Sequence, residues 1–274
     1  MTVTTIHLLS INVGNTRTAY ALHRGFSDID RGPMRAVVNT DEKELIDALL
    51  AAARGMDGAD KAIVVIASVN EPVATLIDSA LRGGGPWDIA RIGRDVPIPV
   101  RHALDEQGAR TVGQDRLLNA LGAYDVARQA CVVVDAGSAV TVDFVDGEGV
   151  FQGGAIAPGA RMMLRAMHND APALPDVGLV IPDGARPDEP AQPFGKNTPQ
   201  AMLNGVYFGI RGMVRMLAER YAEAYDAYPQ IIATGGDAEM LFESDELIET
   251  IVPDLTHRGM GIACREALTG ADED

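Results

Sequence analysis

The sequence predicts an α/β protein made of two similar domains, and three observations lead there. Two stretches with Asn12 and Asp135 at matching places, 123 residues apart, follow one template. In each half the strand-like runs come first and the helix-like runs follow. A chain of 274 residues, 47% of them hydrophobic, is long and apolar enough for two cores. The first templated stretch is Leu9–Leu22 and the second Val132–Val145. Asn12 matches Asp135, Gly14 matches Gly137, Asn15 matches Ser138 and Thr18 matches Thr141. An apolar run, a short polar side chain, a Gly, a small polar residue and then alternation read as two strands around a tight turn. The Gly lets backbone N–H groups close on a ligand, and the polar side chains add hydrogen bonds. One such hairpin per half implies a duplicated fold that grips one phosphorylated ligand between its halves.

Element by element, Leu8–Val13, Arg17–Leu22 and Arg35–Val38 read as three strands of one sheet. Asp41–Ala53 has helical spacing and a cap in Thr40 or Asp41. Ala62–Val69 is a near-continuous apolar run, as a buried parallel strand requires. Glu71–Leu81 reads as the following helix, and Gly83–Gly85 as a break. Ile89–Ile92 and Ile98–Arg101 read as short strands. Asp115–Ala127 places Leu117, Leu118, Leu121 and Tyr124 on one helical face.

The second half repeats the order. Val132–Val134 and Val140–Val145 form a hairpin, and Val150–Ala155 returns after the Asp146-Gly147 turn. Gly159–His168 is helical, Asp176–Pro193 is an irregular loop, and Thr198–Ala224 is a long helix with Pro199 in its first turn. Ile231–Ala233 is a buried strand, Gly235-Gly236 a turn and Asp237–Phe242 a helix start; His257–Ala267 closes the chain as a helix. The expected division is residues 1–128 and 129–274.

Lys and Arg number 23 against 39 Asp and Glu, a formal charge of −16. That balance argues against nucleic acid, whose phosphates need a basic patch, and against an anionic membrane surface. No signal-peptide pattern and no membrane-length apolar run is found, so a cytoplasmic protein is expected. Cys131 and Cys264 have no metal or disulfide spacing and read as buried thiols.

Gly113-Gln114-Asp115-Arg116 stands where a loop enters a helix, and a helix N-terminus attracts anions. Asp with Arg is a sensible pair for deprotonating a hydroxyl and holding a carboxylate or phosphate. Asp135 heads the second hairpin, where it either serves a cation or phosphate or simply ends a strand. A carboxylate beside a phosphate loop usually needs a cation, because two anions repel. The glycines of Gly153–Gly159 suit close backbone packing at least as well as ligand contact. Thr234-Gly235-Gly236-Asp237 is the expected place for a nucleoside to lie against backbone. His168 and His257 read as surface or capping residues.

Taken together these elements resemble the type III pantothenate kinases, of the superfamily that holds acetate and sugar kinases, actin and the heat-shock chaperone ATPases. The family's Asp-x-Gly-Asn-Thr-x-x-Lys is approximated by Asn12–Ala19; Gly-x-Asp-Arg is Gly113–Arg116; Asp-x-Gly-Thr-Ala is Asp135–Ala139 with Ser138 for Thr. Gly-Gly-x-Ile-x-Pro-Gly is Gly153–Gly159, Asn197-Thr198 matches a pair before a long helix, and Thr234–Gly236 matches the Thr-Gly-Gly turn. The resemblance runs from about Leu8 to Ala267.

It implies two duplicated ribonuclease-H-like domains with an interdomain cleft, and a homodimer. It implies ATP-dependent phosphorylation of pantothenate to 4′-phosphopantothenate, the first step of coenzyme A synthesis. The ATP phosphates would lie on Asn12, Val13, Gly14, Asn15, Thr16, Arg17 and Ser138, and the nucleoside on Gly235 and Gly236. Pantothenate would contact Gly113, Gln114, Asp115 and Arg116, with Thr198 reaching in from the partner subunit. Asp115 would be the general base. Asp135 would hold potassium, needed beside magnesium. The chain departs from the pattern at Asn12, where the family has Asp, and at Ala19, where it has Lys. Arg17, two residues away on the same strand face, is a candidate to restore the positive charge. Glu106 stands where the family often has an aromatic residue. These departures keep open a second reading, a non-catalytic relative that binds a ligand and regulates. A nuclease, the third possibility on such a fold, is disfavoured by the acidic charge and by Asn12.

Overall fold

In a computed structural model, which describes residues 5–25, 32–185 and 192–270, the strands form two five-stranded sheets of the same design. The elements are β1 (Ile6–Val13), β2 (Arg17–Arg24), β3 (Arg35–Val38), α1 (Glu42–Arg54), β4 (Lys61–Ser68), α2 (Glu71–Arg82), β5 (Asp88–Arg91), α3 (Glu106–Thr111) and α4 (Gln114–Ala127). They continue as β6 (Cys131–Ala136), β7 (Ala139–Val145), β8 (Phe151–Pro158), α5 (Ala160–Asp170), α6 (Thr198–Tyr225), β9 (Gln230–Thr234), α7 (Ala238–Phe242), β10 (Thr250–Ile251) and α8 (Leu255–Gly270).

The first sheet runs β3-β2-β1-β4-β5 and the second β8-β7-β6-β9-β10. In each, three antiparallel strands continue into two parallel ones. This is the pair of ribonuclease-H-like domains that the resemblance implies. The part of the expected loop over residues 186–191 lies outside the described residues.

The first unit is Met1–Val100, Asp105–Gly122 and Asp254–Asp274; the second is Arg101–Leu104 and Ala123–Pro253. The chain therefore crosses between units inside α4 rather than at residue 128, and α8 goes with the first sheet although it follows the second in sequence. Period-2 alternation explains both layers of the first unit. Leu9, Ile11 and Val13 of β1 and Val64 and Ile66 of β4 pack on Leu45, Leu49, Ile77 and Leu81 of α1 and α2. The opposite face, with Leu8, Ile63, Val65 and Ala67, packs on Leu118 of α4 and Met260, Ala263 and Cys264 of α8. Burial on both faces is why β4 reads as an unbroken apolar run. Each fully buried Leu, Ile or Val contributes about 1.5–3 kcal/mol relative to exposure.

The contact between α4 and α8 is backbone-close. A Cβ at Gly259 would stand 2.1 Å from the Leu118 carbonyl oxygen, so only glycine fits. In the second unit Val132, Val134, Val142 and Phe144 pack on Leu164 of α5 and Val206, Ile210 and Val214 of α6.

Helix starts follow their caps. The Asp41, Asn70 and Asn197 side chains accept from the backbone N–H groups of Glu44, Val73 and Gln200. Three elements differ from expectation. Ile98–Arg101 forms no strand; the Val100 N–H instead bonds back to the Ile98 carbonyl at 2.8 Å. Helix α3 has no buried residue and hence no hydrophobic period; its Asp105 cap, 2.7 Å from the Gly108 nitrogen, holds it. β10 is two residues long, too short for a pattern.

Candidate active site

The first hairpin joins β1 to β2 through Gly14, Asn15 and Thr16, and Arg17 opens β2. The Gly14 N–H closes the turn on the Arg17 carbonyl at 3.0 Å. Asn15, Thr16 and Arg17 are exposed and Asn12 is half-buried. Val13 is fully buried in the core, so only its backbone can meet a ligand. Asn12 lies opposite Ala19 in the antiparallel ladder and opposite Ala67 in the parallel one. A polar side chain with an alanine on each flank sits on the face that also carries Arg17, since residues two apart on a strand share a face.

The second hairpin has the same construction with one residue fewer. The Gly137 N–H closes on the Ala139 carbonyl at 2.9 Å. Val13 pairs with Thr18 and Ala136 with Val140; Asn12 pairs with Ala19 and Asp135 with Thr141. The matches of Asn15 to Ser138 and of Thr18 to Thr141 are therefore corrected, Thr16 being the counterpart of Ser138. Asn15 is an insertion, and the counterpart of Thr141 is Ala19. Asp135 is flanked by Thr141 on β7 and Thr234 on β9. The second hairpin thus groups one carboxylate with two hydroxyls where the first groups an amide with two methyls.

Glycines bring more backbone to the second hairpin. Gly235 has φ +97°, open to glycine at little cost, and a Cβ there would stand 2.5 Å from an Asp135 carboxylate oxygen. Gly159 donates its N–H to the Ser138 carbonyl at 3.1 Å, and a Cβ there would stand 2.2 Å from the Gly137 oxygen. The Gly153–Gly159 segment, at Gly159, thus braces the hairpin by close packing. Gly236 is exposed and has no atom within 4 Å of where its Cβ would be. Asp237, buried, donates its N–H to the Ala136 carbonyl at 2.9 Å and pairs with the exposed Arg161 of α5.

In the first unit, Gly113 precedes α4 and Gln114 opens it. The Gln114 side chain folds over Gly93, and an Asp115 oxygen accepts the Arg116 N–H at 2.9 Å. Asp115 and Arg116 are half-buried, so a substrate can reach them. Glu106 is exposed and pairs with Arg110 on the same helix. In the second unit Thr198 is exposed at the first position of α6, beside its cap Asn197.

Sequence reasoning missed Asn39. Its N–H donates to the Thr16 carbonyl at 3.0 Å and its Nδ2 to the Gly14 carbonyl at 2.8 Å, while Thr18 Oγ1 donates to its Oδ1 at 2.8 Å. The usable signal was its place just after β3, matching Gly159 just after β8. His257 is corrected: it is buried, with Nδ1 2.8 Å from Ser10 Oγ, which also lies 2.7 Å from His23 Nε2. His168, half-buried in the last turn of α5, bonds through Nδ1 to the Leu174 carbonyl of the following loop at 2.8 Å. Cys131 and Cys264 are buried and unbridged, and burial pushes each thiol up to about 12.

Among the described residues no cluster of three or more His, Cys, Asp or Glu side chains forms a ready metal site. The oxygen set of Asp135, Thr141 and Thr234 fits a hard cation that draws further oxygens from a phosphate ligand. Among the described residues no helix is long and apolar enough to cross a membrane.

The family model described as type III pantothenate kinase matches residues 8–220. A type III pantothenate kinase of Rhodospirillum rubrum is 34% identical over 267 residues, covering 94% of this chain and 98% of that one. One from Maricaulis maris is 31% identical over 258 residues, covering 92% and 95%. Among solved structures, a Baf family transcriptional activator from Campylobacter jejuni aligns with a TM-score of 0.58 at 20% identity, covering 95% of this chain and 99% of that one. Component A of the (R)-2-hydroxyglutaryl-CoA dehydratase of Acidaminococcus fermentans aligns with a TM-score of 0.53 at 16% identity, covering 95% and 97%. These two likenesses concern the fold.

Proposed function

We propose how this chain works from one premise: it belongs to the type III pantothenate kinase family. Its activity is the ATP-dependent phosphorylation of pantothenate to 4′-phosphopantothenate, in coenzyme A synthesis. Asp115 takes the proton of the substrate's primary hydroxyl as that oxygen bonds to the γ-phosphorus. The bond from that phosphorus to the ADP oxygen breaks, and the proton stays on the Asp115 carboxyl. The Arg116 N–H fixes one Asp115 oxygen and so orients the base. The Arg116 guanidinium suits the pantothenate carboxylate, and Gly113 and Gln114 complete the loop around the substrate. Most of the rate in such a transfer comes from positioning and charge stabilisation.

The ATP phosphates rest on the backbone and small polar groups of Asn12–Arg17 and on Ser138, and the nucleoside on Gly235 and Gly236. Magnesium, held mainly by phosphate oxygens, and potassium, held by Asp135 with the flanking threonines, would neutralise charge on the transferring group. In a homodimer, Thr198 of each protomer would complete the partner's substrate site. Nucleic acid and membrane are no part of this proposal, and a cytoplasmic location is. The observation that carries the reading is the Asp135–Thr141–Thr234 group beside a glycine-closed turn. One assay tests it: ATP-dependent formation of 4′-phosphopantothenate by the purified protein, with and without potassium. No product in either salt, with the protein folded, rejects it.

The second reading, a non-catalytic relative, is favoured by the uncharged Asn12–Ala19 pair of the first hairpin. Such a protein would bind ATP or pantothenate and turn over neither.

A further inference from the structure

We infer that Asn39 is a positioning residue for nucleotide binding, holding the first hairpin in its phosphate-ready shape. The inference rests on the proposal that this hairpin receives the ATP phosphates. The two hairpins correspond residue for residue once Asn15 is set aside. Val38 pairs with Arg17 as Pro158 pairs with Ala139. The next residues, Asn39 and Gly159, make the same main-chain bond, to the Thr16 and Ser138 carbonyls at 3.0 and 3.1 Å. In the shorter hairpin close backbone contact accompanies that bond, for Gly159 lies too near the Gly137 oxygen for any side chain.

The first hairpin has an extra residue and cannot be braced that way. Asn39 supplies a side chain in place of the contact. Its Nδ2 holds the Gly14 carbonyl at the start of the turn, and its Oδ1 takes the hydroxyl of the buried Thr18 beyond the turn's end. One amide therefore ties both ends of Gly14–Thr18 to the end of β3. A loop fixed before the ligand arrives loses less freedom on binding, which raises affinity without a new ligand contact.

The test compares the parent with Asn39→Ala, Thr18→Ala, Thr18→Ser and Gly14→Val. Calorimetry with an imido-bridged ATP analogue gives nucleotide affinity, and steady-state kinetics give kcat and both KM values. We expect Asn39→Ala to raise the analogue Kd and the ATP KM about tenfold, with the pantothenate KM within about twofold of the parent. Thr18→Ala should show a smaller change in the same direction, and Thr18→Ser should restore parental values. Unchanged nucleotide affinity in Asn39→Ala overturns the inference. So does an equal loss toward ATP and pantothenate, which marks a merely structural residue. If Asn39→Ala does not fold, the Thr18 pair decides by the same readouts. Gly14→Val separates the two levels. If it too leaves nucleotide affinity intact, the hairpin does not hold phosphates and the proposal beneath fails. If it abolishes affinity while Asn39→Ala does not, only the inference fails.

Discussion

Asn12 and Ala19 are direct cross-strand neighbours on β1 and β2. The two departures from the charged pattern that the resemblance implies are thus neighbours in space. Directly opposed residues have Cβ atoms about 4.5–5.5 Å apart. A carboxylate and an ammonium in these places would meet each other, and the chain carries neither.

The substitutions should therefore act as a pair. Asn12→Asp alone adds an unbalanced anion beside the triphosphate, a repulsion of up to about 4 kcal/mol at roughly 4 Å and an effective dielectric near 20. Neither Asn12→Asp nor Ala19→Lys alone should improve turnover, and the double variant should match or exceed the parent in kcat/KM for ATP. The kinetics of the four proteins check this. A nearly inactive parent whose metal-dependent turnover returns with Asn12→Asp alone would instead support the non-catalytic reading.

Asp115→Asn should lower kcat by about 10²–10⁴. The urea midpoint should stay near the parent's, because Asn keeps an oxygen able to accept the Arg116 N–H. A near-parental kcat removes Asp115 from the role of base.

Turnover should be faster in potassium than in sodium or choline at equal ionic strength. Asp135→Asn should remove that difference. Equal rates in the three salts would give Asp135 a structural part, beside Thr141 and Thr234.

The thiols carry a pH expectation. Both are buried, and burial pushes each up to about 12 from an ordinary 9.0. In the unfolded chain they ionise first. Their neutral burial therefore supports the fold fully below pH 9, and that support is lost as pH rises from about 9 toward 12. Replacing Cys131 by Ala and Cys264 by Ala together should flatten the alkaline decline in the urea midpoint. In the native protein at pH 8, a thiol reagent should label neither residue; rapid labelling before unfolding would refute the burial.

Much of this architecture was readable from residue order. The apolar runs of β1, β4 and β6 and the period-2 alternation of β2 and β7 announced the sheets, because helices cover both faces of β1 and β4 and one face of β6 and β7. Motif order announced the hairpins and the Gly113–Arg116 turn. Other features depend on contacts that sequence does not display. The offset of Thr18 from Thr141 arises from a single inserted residue, invisible until the ladders are paired. Asn39 looks like an ordinary residue ahead of a helix cap. His257 sits in a polar-looking segment and is buried only because α8 lies on β1, with Ser10 as its partner.

That placement of α8 has a consequence for how the protein is made. The first sheet is synthesised early, but the helix covering its Leu8 and Val65 face spans Leu255–Gly270. Nearly the whole second unit is translated in between, a wait on the order of 10 s. The first sheet is thus completed only after the second unit has been made, with the part of that face that α4 leaves open uncovered during the interval. Loss of the carboxy-terminal segment is, in folding terms, an injury to the amino-terminal half.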